Sequence, residues 1–188
     1  ERKVKIQAWR EAVGEKMANY ISATAVNRGK TLHTLIENQL KNQPEKSAGI
    51  TAIEPLGMFR IITPYLNRID NIHGVEEFLY SKEISVAGQC DCIAEYKGKL
   101  SIIDFKSSSK QRDEEYNYAN FLQTSAYAKM YEEIYPQYKI EQTVILAACA
   151  DGFVQEWIHG KDKIKEHQEK FYRHTQDFLK RTKEFWNK

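Results

Sequence analysis

The stretch QCDCIAEYKGKLSIIDFK, Gln89 to Lys106, is two runs rich in β-branched and aromatic residues on either side of Lys97-Gly98. Runs of this kind around a glycine turn predict an antiparallel hairpin. Gly98 supplies the positive φ that a two-residue loop requires, so Tyr96 faces Lys99 and the register is set. Facing residues then have numbers that add to 195, which puts Asp91 directly opposite Asp104. Cβ atoms across such a pair lie about 4.5 to 5.5 Å apart, and two carboxylates at that spacing repel unless a cation lies between them. Alternation puts Lys106 on the face of Asp104, while Ile103 and Phe105 point the other way together with Cys90, Cys92 and Ala94. One face packs and the other carries charge.

A divalent metal answers the facing carboxylates economically, and hard oxygen donors suit Mg²⁺ or Mn²⁺. An ammonium beside a carboxylate-bound metal can orient an attacking water and offset negative charge growing on a phosphoryl group. The implied reaction is metal-assisted phosphodiester hydrolysis.

Working outward, VEEFLYSKEISV from Val75 reads as the strand before the hairpin. IEQTVILAACA and FVQEWI read as two strands around Asp151-Gly152, a second hairpin signal. Between them Asn117 to Tyr135 has helical spacing through Leu122, Ala126 and Met130 and stops before Pro136. Upstream, the first forty or so residues read as helix, with Leu32, Leu35, Ile36 and Leu40 on one face. NQPEKSAG at Asn42 to Gly49 is a loop by composition, and Met58 to Ile72 resumes a helical pattern that Pro64 breaks or kinks. Lys161 to Trp186 is a charged helix whose Ile164, Phe171, Phe178 and Phe185 recur every seven residues, a narrow docking stripe. The fold class is therefore α/β, a small mixed sheet flanked by helices.

A length of 188 residues fits one domain at roughly 100 to 200 residues per domain. Within it, 1–72 is mostly helical, 73–160 holds the sheet and 161–188 the closing helix. Hydrophobic content of 41% with 29% charged residues excludes disorder. The longest apolar run, Val144 to Ala150, is far short of the ~20 residues of a membrane helix, so no membrane partner is expected. Three cysteines, Cys90, Cys92 and Cys149, form no secreted disulfide framework, which points to a reducing compartment. Cys90-x-Cys92 lacks the four ligands of a structural zinc site, so core packing is the expected role. The opening Glu1 is what a processed or trimmed chain would show. A net charge of +2 does not announce nucleic acid, so any such partner rests on local chemistry.

Asp91 followed by Asp104-Phe105-Lys106 resembles the signature of the PD-(D/E)XK nuclease superfamily. QTSAY at Gln123 to Tyr127 is similar to the Q-x-x-x-Y motif of its RecB-like exonuclease branch. RGKTLHTLIE at Arg28 to Glu37 is similar to the helix that gives this branch its site histidine. The likeness runs from Arg28 to Tyr127 and is greatest for the small stand-alone exonucleases of mitochondria and phages, which act on single-stranded DNA ends. It implies that His33, Asp91 and Asp104, with the carbonyl of Phe105, hold Mg²⁺ or Mn²⁺, and that Lys106 is the catalytic lysine. Gln123 and Tyr127 would position the substrate strand or that lysine. Apart from the likeness, Arg28, Lys30, Lys110 and Arg112 are basic residues near the site and candidates for phosphate contacts. The partner is then DNA, preferably single-stranded, and the compartment a bacterial or phage-infected cytoplasm or a mitochondrial matrix. The cysteines that hold an iron-sulfur cluster in some relatives are absent, so no cluster is expected. GKT at Gly29 to Thr31 imitates the end of a phosphate loop, but Thr24 stands where its first glycine belongs.

Blander readings exist for each residue. Asp91, Asp104 and Lys106 could form a surface ion-pair cluster, His33 could be structural, and Gln123 with Tyr127 could be a buried polar pair one turn apart. Glu37 shares the face of His33 and reads as solvated. Tyr116, Tyr118 and Phe121 could stack on unpaired bases or start a helix core. Two functional rivals remain: a structure-specific endonuclease of the same fold, and a binding module of nuclease ancestry that no longer cuts. The second would carry a broken Asp-Asp-Lys set, which is intact here.

Overall fold

Gly14, with φ of 82°, interrupts the N-terminal helical run and divides it into α1 (Arg2–Val13) and α2 (Glu15–Leu40). The computed structural model describes residues 2–186, with side chains from 4 to 182. A 3₁₀ turn at Pro44–Ser47 leads to α3 (Ile53–Leu66). That helix begins five residues before the expected Met58 and ends well before Ile72. Pro55 sits in the first turn, where its missing N–H costs no helical bond, and Pro64 lies two residues from the end.

Among the described residues, five strands form one sheet in the order β1-β2-β3-β4-β5. They are β1 (Ile69–Ser81), β2 (Val86–Tyr96), β3 (Lys99–Ser108), β4 (Gln142–Cys149) and β5 (Val154–Gly160). Only β3 and β4 run parallel, and α4 (Tyr118–Ile134) provides the crossover between them. α5 (Lys161–Trp186) closes the chain. The expected strand VEEFLYSKEISV is in fact the end of β1, a turn at 82–85 and the start of β2. Ser85 takes the left-handed backbone there, with φ of 54°, a role for which glycine is the usual signal.

The sheet is covered on both faces. Leu32 and Ile36 of α2 and Met58, Ile62 and Leu66 of α3 pack on Cys92, Ala94, Ile103, Phe105, Val144 and Leu146. On the opposite face Ala126, Tyr127, Met130 and Tyr131 of α4, with Ile164 of α5, pack on Leu79, Cys90, Ile93 and Ile102. Cys90 therefore does not share the face of Cys92, contrary to simple alternation. The three thiols are buried and unpaired. The α5 stripe docks only at its start: Ile164 is buried and Phe171 partly so, but Phe178 is 62% exposed. Phe185 lies outside the described side chains. His167, on the same helix, is buried against Phe121 and His159. Among the described residues no helix is long and apolar enough to cross a membrane.

Candidate active site

The β2–β3 hairpin has the expected turn, with positive φ at both Lys97 and Gly98. Its ladder holds the expected register from Tyr96–Lys99 to Cys92–Ile103 and ends there, one pair short of Asp91 and Asp104. Beyond that point the Phe105 N–H donates to Asp91 Oδ2 at 2.8 Å. A carboxylate has taken the place of a backbone carbonyl, so the strands fork where the acidic residues sit. β3 continues beside β4 as far as Ser108–Cys149. The predicted cross-strand pair is thus a fork with one aspartate on each prong.

On the other side of β2, Val75 pairs with Cys92 and Glu77 with Cys90, which sets Glu76 opposite Asp91. Glu76 has φ of 57°. Left-handed backbone in a strand breaks the alternation of side chains. On β2 as well, Cys90 and Cys92 pack in different layers although they are two residues apart.

His33, in the C-terminal third of α2, approaches the fork from the α2–α3 face. Its Nδ1 lies 3.8 Å from Asp91 Oδ2 and 3.9 Å from Glu76 Oε1. One ligand atom from each of these three residues lies within 4.8 Å of the others, a grouping able to hold a metal ion. Burial, with Asp91 adding to it, raises the Glu76 carboxyl above its ordinary range, while His33 pulls it down. Glu76 was not among the expected ligands. Recognition of the 82–85 turn would have found it, because that hairpin pairs residues whose numbers add to 167. Glu37 is engaged by Lys41 at 2.7 Å rather than simply solvated.

Asp104 is not a member of that trio, though Asp91 and His33 act on its charge. It is 4% exposed, and Lys106 Nζ lies 2.6 Å from each of its oxygens, with hydrogen-bond geometry only at Oδ1. Its Oδ2 is buried with no hydrogen-bond partner among the described residues. Burial raises the Asp104 carboxyl to about 6, with Lys106 opposing the rise and Asp91 adding to it. The Lys106 ammonium, within ion-pair distance of both oxygens, is what offsets the cost of burying this carboxylate.

Gln123 and Tyr127 meet as the i, i+4 spacing requires, the amide donating to the phenol oxygen at 2.9 Å. Tyr127 is buried, and burial raises its pKa, with Cys90, Asp104 and Asp91 contributing. Its ring lies directly on Gly88 of β2: a Cβ there would meet the ring and the phenol oxygen at 2.8 Å. Gly88 is therefore a notch that lets Tyr127 reach toward the fork. Gly88→Ala is expected to cost about 1–3 kcal/mol of stability by overpacking. The same change in a Tyr127→Ala background should cost no more than roughly a few tenths, as urea unfolding of the four proteins would measure.

The basic candidates are unequally placed. α2 crosses the end of β3 closely, a Cβ on Gly29 coming within 3.3 Å of Ser107 Oγ, so Arg28 and Lys30 flank the strand that carries Lys106. Arg28 is largely buried and paired with Glu54 at 3.2 Å, whereas Lys30 and Lys110 are exposed. Arg112 is exposed, and its backbone is clamped from both sides by Gln155. Phe121 is core, stacked on His167, while Tyr116 is 71% exposed beside the same loop.

The profile of the PD-(D/E)XK nuclease superfamily matches residues 7–185, and the chain belongs to that superfamily. It is similar to mitochondrial genome maintenance exonuclease 1 of Mus musculus, 28% identical over 153 residues, covering 78% of this chain and 45% of the relative. The corresponding protein of Homo sapiens is 24% identical over 153 residues, and that of Xenopus tropicalis 27% over 164. The chain spans less than half the length of these curated relatives. A crystal structure of a candidate exonuclease from Eubacterium rectale shares the fold at a TM-score of 0.56 and 8% identity, covering 81% of this chain and 66% of that one. Nucleases of this superfamily use divalent metals, and the His33–Glu76–Asp91 grouping agrees with that.

Proposed function

We propose that the protein is a Mg²⁺- or Mn²⁺-dependent deoxyribonuclease that removes nucleotides from the ends of single-stranded DNA. The observation that carries the reading is the fork between β2 and β3, which sets an imidazole and two carboxylates beside a buried Asp104–Lys106 pair. The donor set fits a hard divalent ion: carboxylate oxygens with one ring nitrogen. We assign His33, Asp91, Asp104 and the Phe105 carbonyl as ligands and add Glu76. When bound, the ion polarises a phosphoryl oxygen and lowers the pKa of water.

The protein's own groups do the rest. Asp91 is held by the Phe105 amide, which fixes the same oxygen that lies near His33. Lys106 is anchored by Asp104 and presents an ammonium where water attacks and negative charge develops. Gln123 and Tyr127 line the α4 side and steady the strand. Lys30, Lys110 and Arg112 contact phosphates, and Arg28 does so more weakly because Glu54 already neutralises it. Tyr116 is free to stack on an unpaired base. A reducing compartment, whether cytoplasm or mitochondrial matrix, suits the three unpaired thiols.

Linear and circular single strands of equal length, each incubated with the protein and Mn²⁺ and with an EDTA control, test this reading. The linear strand is expected to vanish progressively and the circle to survive. Cutting of the circle would instead establish an endonuclease, and loss of neither would remove the nuclease reading altogether.

A further inference from the structure

Behind the edge strand from the metal grouping lies a cavity of about 320 Å³ lined by His73, Glu77, Ile93, Tyr131, Tyr135 and Tyr138. Its rings are fixed by one another. His73 Nδ1 and the Tyr131 hydroxyl are 2.5 Å apart, Tyr138 meets the His73 ring edge-on at 4.7 Å, and Tyr135 tilts against Tyr131 at 5.0 Å. Ile93 of β2 provides an apolar wall. Glu77 is partly buried and has no hydrogen-bond or ion-pair partner among the described residues. Gly74 makes room for it, since a Cβ there would lie 3.1 Å from Glu77 Cβ.

Among the described residues no lysine or arginine lines this cavity. A carboxylate held partly out of water without a cation is unfavourable, and the negative faces of aromatic rings deepen the local potential in the same sense. Both features favour a positive guest. A bare divalent ion is a poor match, because the cavity offers one carboxylate and an imidazole already engaged by a phenol. A nucleotide is poorer still, because its phosphate would approach Glu77 with no basic residue to receive it. We propose that this cavity is a binding site for an organic cation, an alkylammonium or guanidinium group that pairs with Glu77 and rests against Tyr131, Tyr135 and Tyr138. The alkyl part contacts Ile93. The site is separate from the metal grouping, because Glu76 faces His33 whereas the next residue, Glu77, faces the tyrosines.

The test uses the full chain in EDTA without DNA, with the tyrosine ring resonances as reporters. Choline is titrated against its uncharged carbon analogue to isolate the charge. Spermidine then represents a free polyamine, and blocked Gly-Lys-Gly and Gly-Arg-Gly peptides represent a protein side chain. Saturable shifts of the cavity tyrosines are expected with the cations, and the tighter arm identifies the source. Glu77→Gln and Tyr138→Ala, both at solvent-accessible positions, should each weaken binding at least about tenfold, or ~1.4 kcal/mol. The proposal is overturned if no cation saturates the signal below about 10 mM, where binding is worth under roughly 3 kcal/mol. It is equally overturned if the uncharged analogue binds as well as choline, if Glu77→Gln leaves affinity unchanged, or if a short thymidine oligonucleotide displaces the cations.

Discussion

Lys106→Ala is expected to lower cleavage of an end-labelled single-stranded oligonucleotide by about 100-fold or more, while the protein still takes up Mn²⁺. The substitution removes the ammonium that lies 2.6 Å from the Asp104 oxygens and leaves the His33, Glu76 and Asp91 donors in place. Asp104→Ala should be as inactive for a different reason: it deletes the buried oxygen assigned to the metal and frees the lysine that it anchors. Uptake of Mn²⁺, followed by the broadening it causes in nearby resonances, separates the two, since Asp104→Ala should bind it poorly. Near wild-type turnover in either folded variant would refute the assignment of this pair.

The second large effect is on stability. Glu76, Asp91 and Asp104 crowd one fork, and a metal ion bound only by the folded protein raises stability by about 2.7 kcal/mol at a hundredfold excess over Kd. For a chain of this size that corresponds to a melting temperature higher by roughly 5–10 °C. Asp91→Asn should remove the rise without unfolding the protein, because an amide oxygen can still accept from the Phe105 N–H. The sign of the pH dependence follows from Asp104. Its folded pKa is raised from 3.8 to about 6, so its contribution to stability is complete below the unfolded value and lost as pH rises through the folded one. Metal-linked stabilisation should therefore be larger above pH 6 than below it. A melting curve unmoved by saturating Mn²⁺ at neutral pH would contradict the proposed site.

The parts of this arrangement that could be read in the chain are those with a local signal. Lys97-Gly98 sets a register by turn chemistry alone, and the spacing of Gln123 and Tyr127 guarantees one helix face. His33 rested on likeness to a family motif. Glu76 was hidden because the 82–85 turn is built from Lys-Glu-Ile-Ser, with no glycine, proline or asparagine to mark it, and Ser85 bears the positive φ. Without that turn the register of β1 is unknown and a glutamate in a strand is merely polar. The fork had no local signal either. It arises because β3 leaves β2 for its parallel neighbour, a choice made by tertiary packing. Cys90 was misplaced as well, since no residue between it and Cys92 marks the break in alternation.

The two hairpin turns can also be regarded as a ruler. Strand side chains alternate with a period of two, so lengthening the 82–85 turn by one residue would slide Glu76 out of line with Asp91 and aim it at the opposite layer. Lengthening the Lys97-Gly98 loop would do the same to Asp104. Insertions are ordinarily absorbed at exposed turns, far from any chemistry. Here the loop lengths themselves are under constraint, and a pair of compensating changes, one in each turn, would not restore the geometry because the middle strand is shared. Drift in this family should accumulate in the substituents of these turns and spare their lengths.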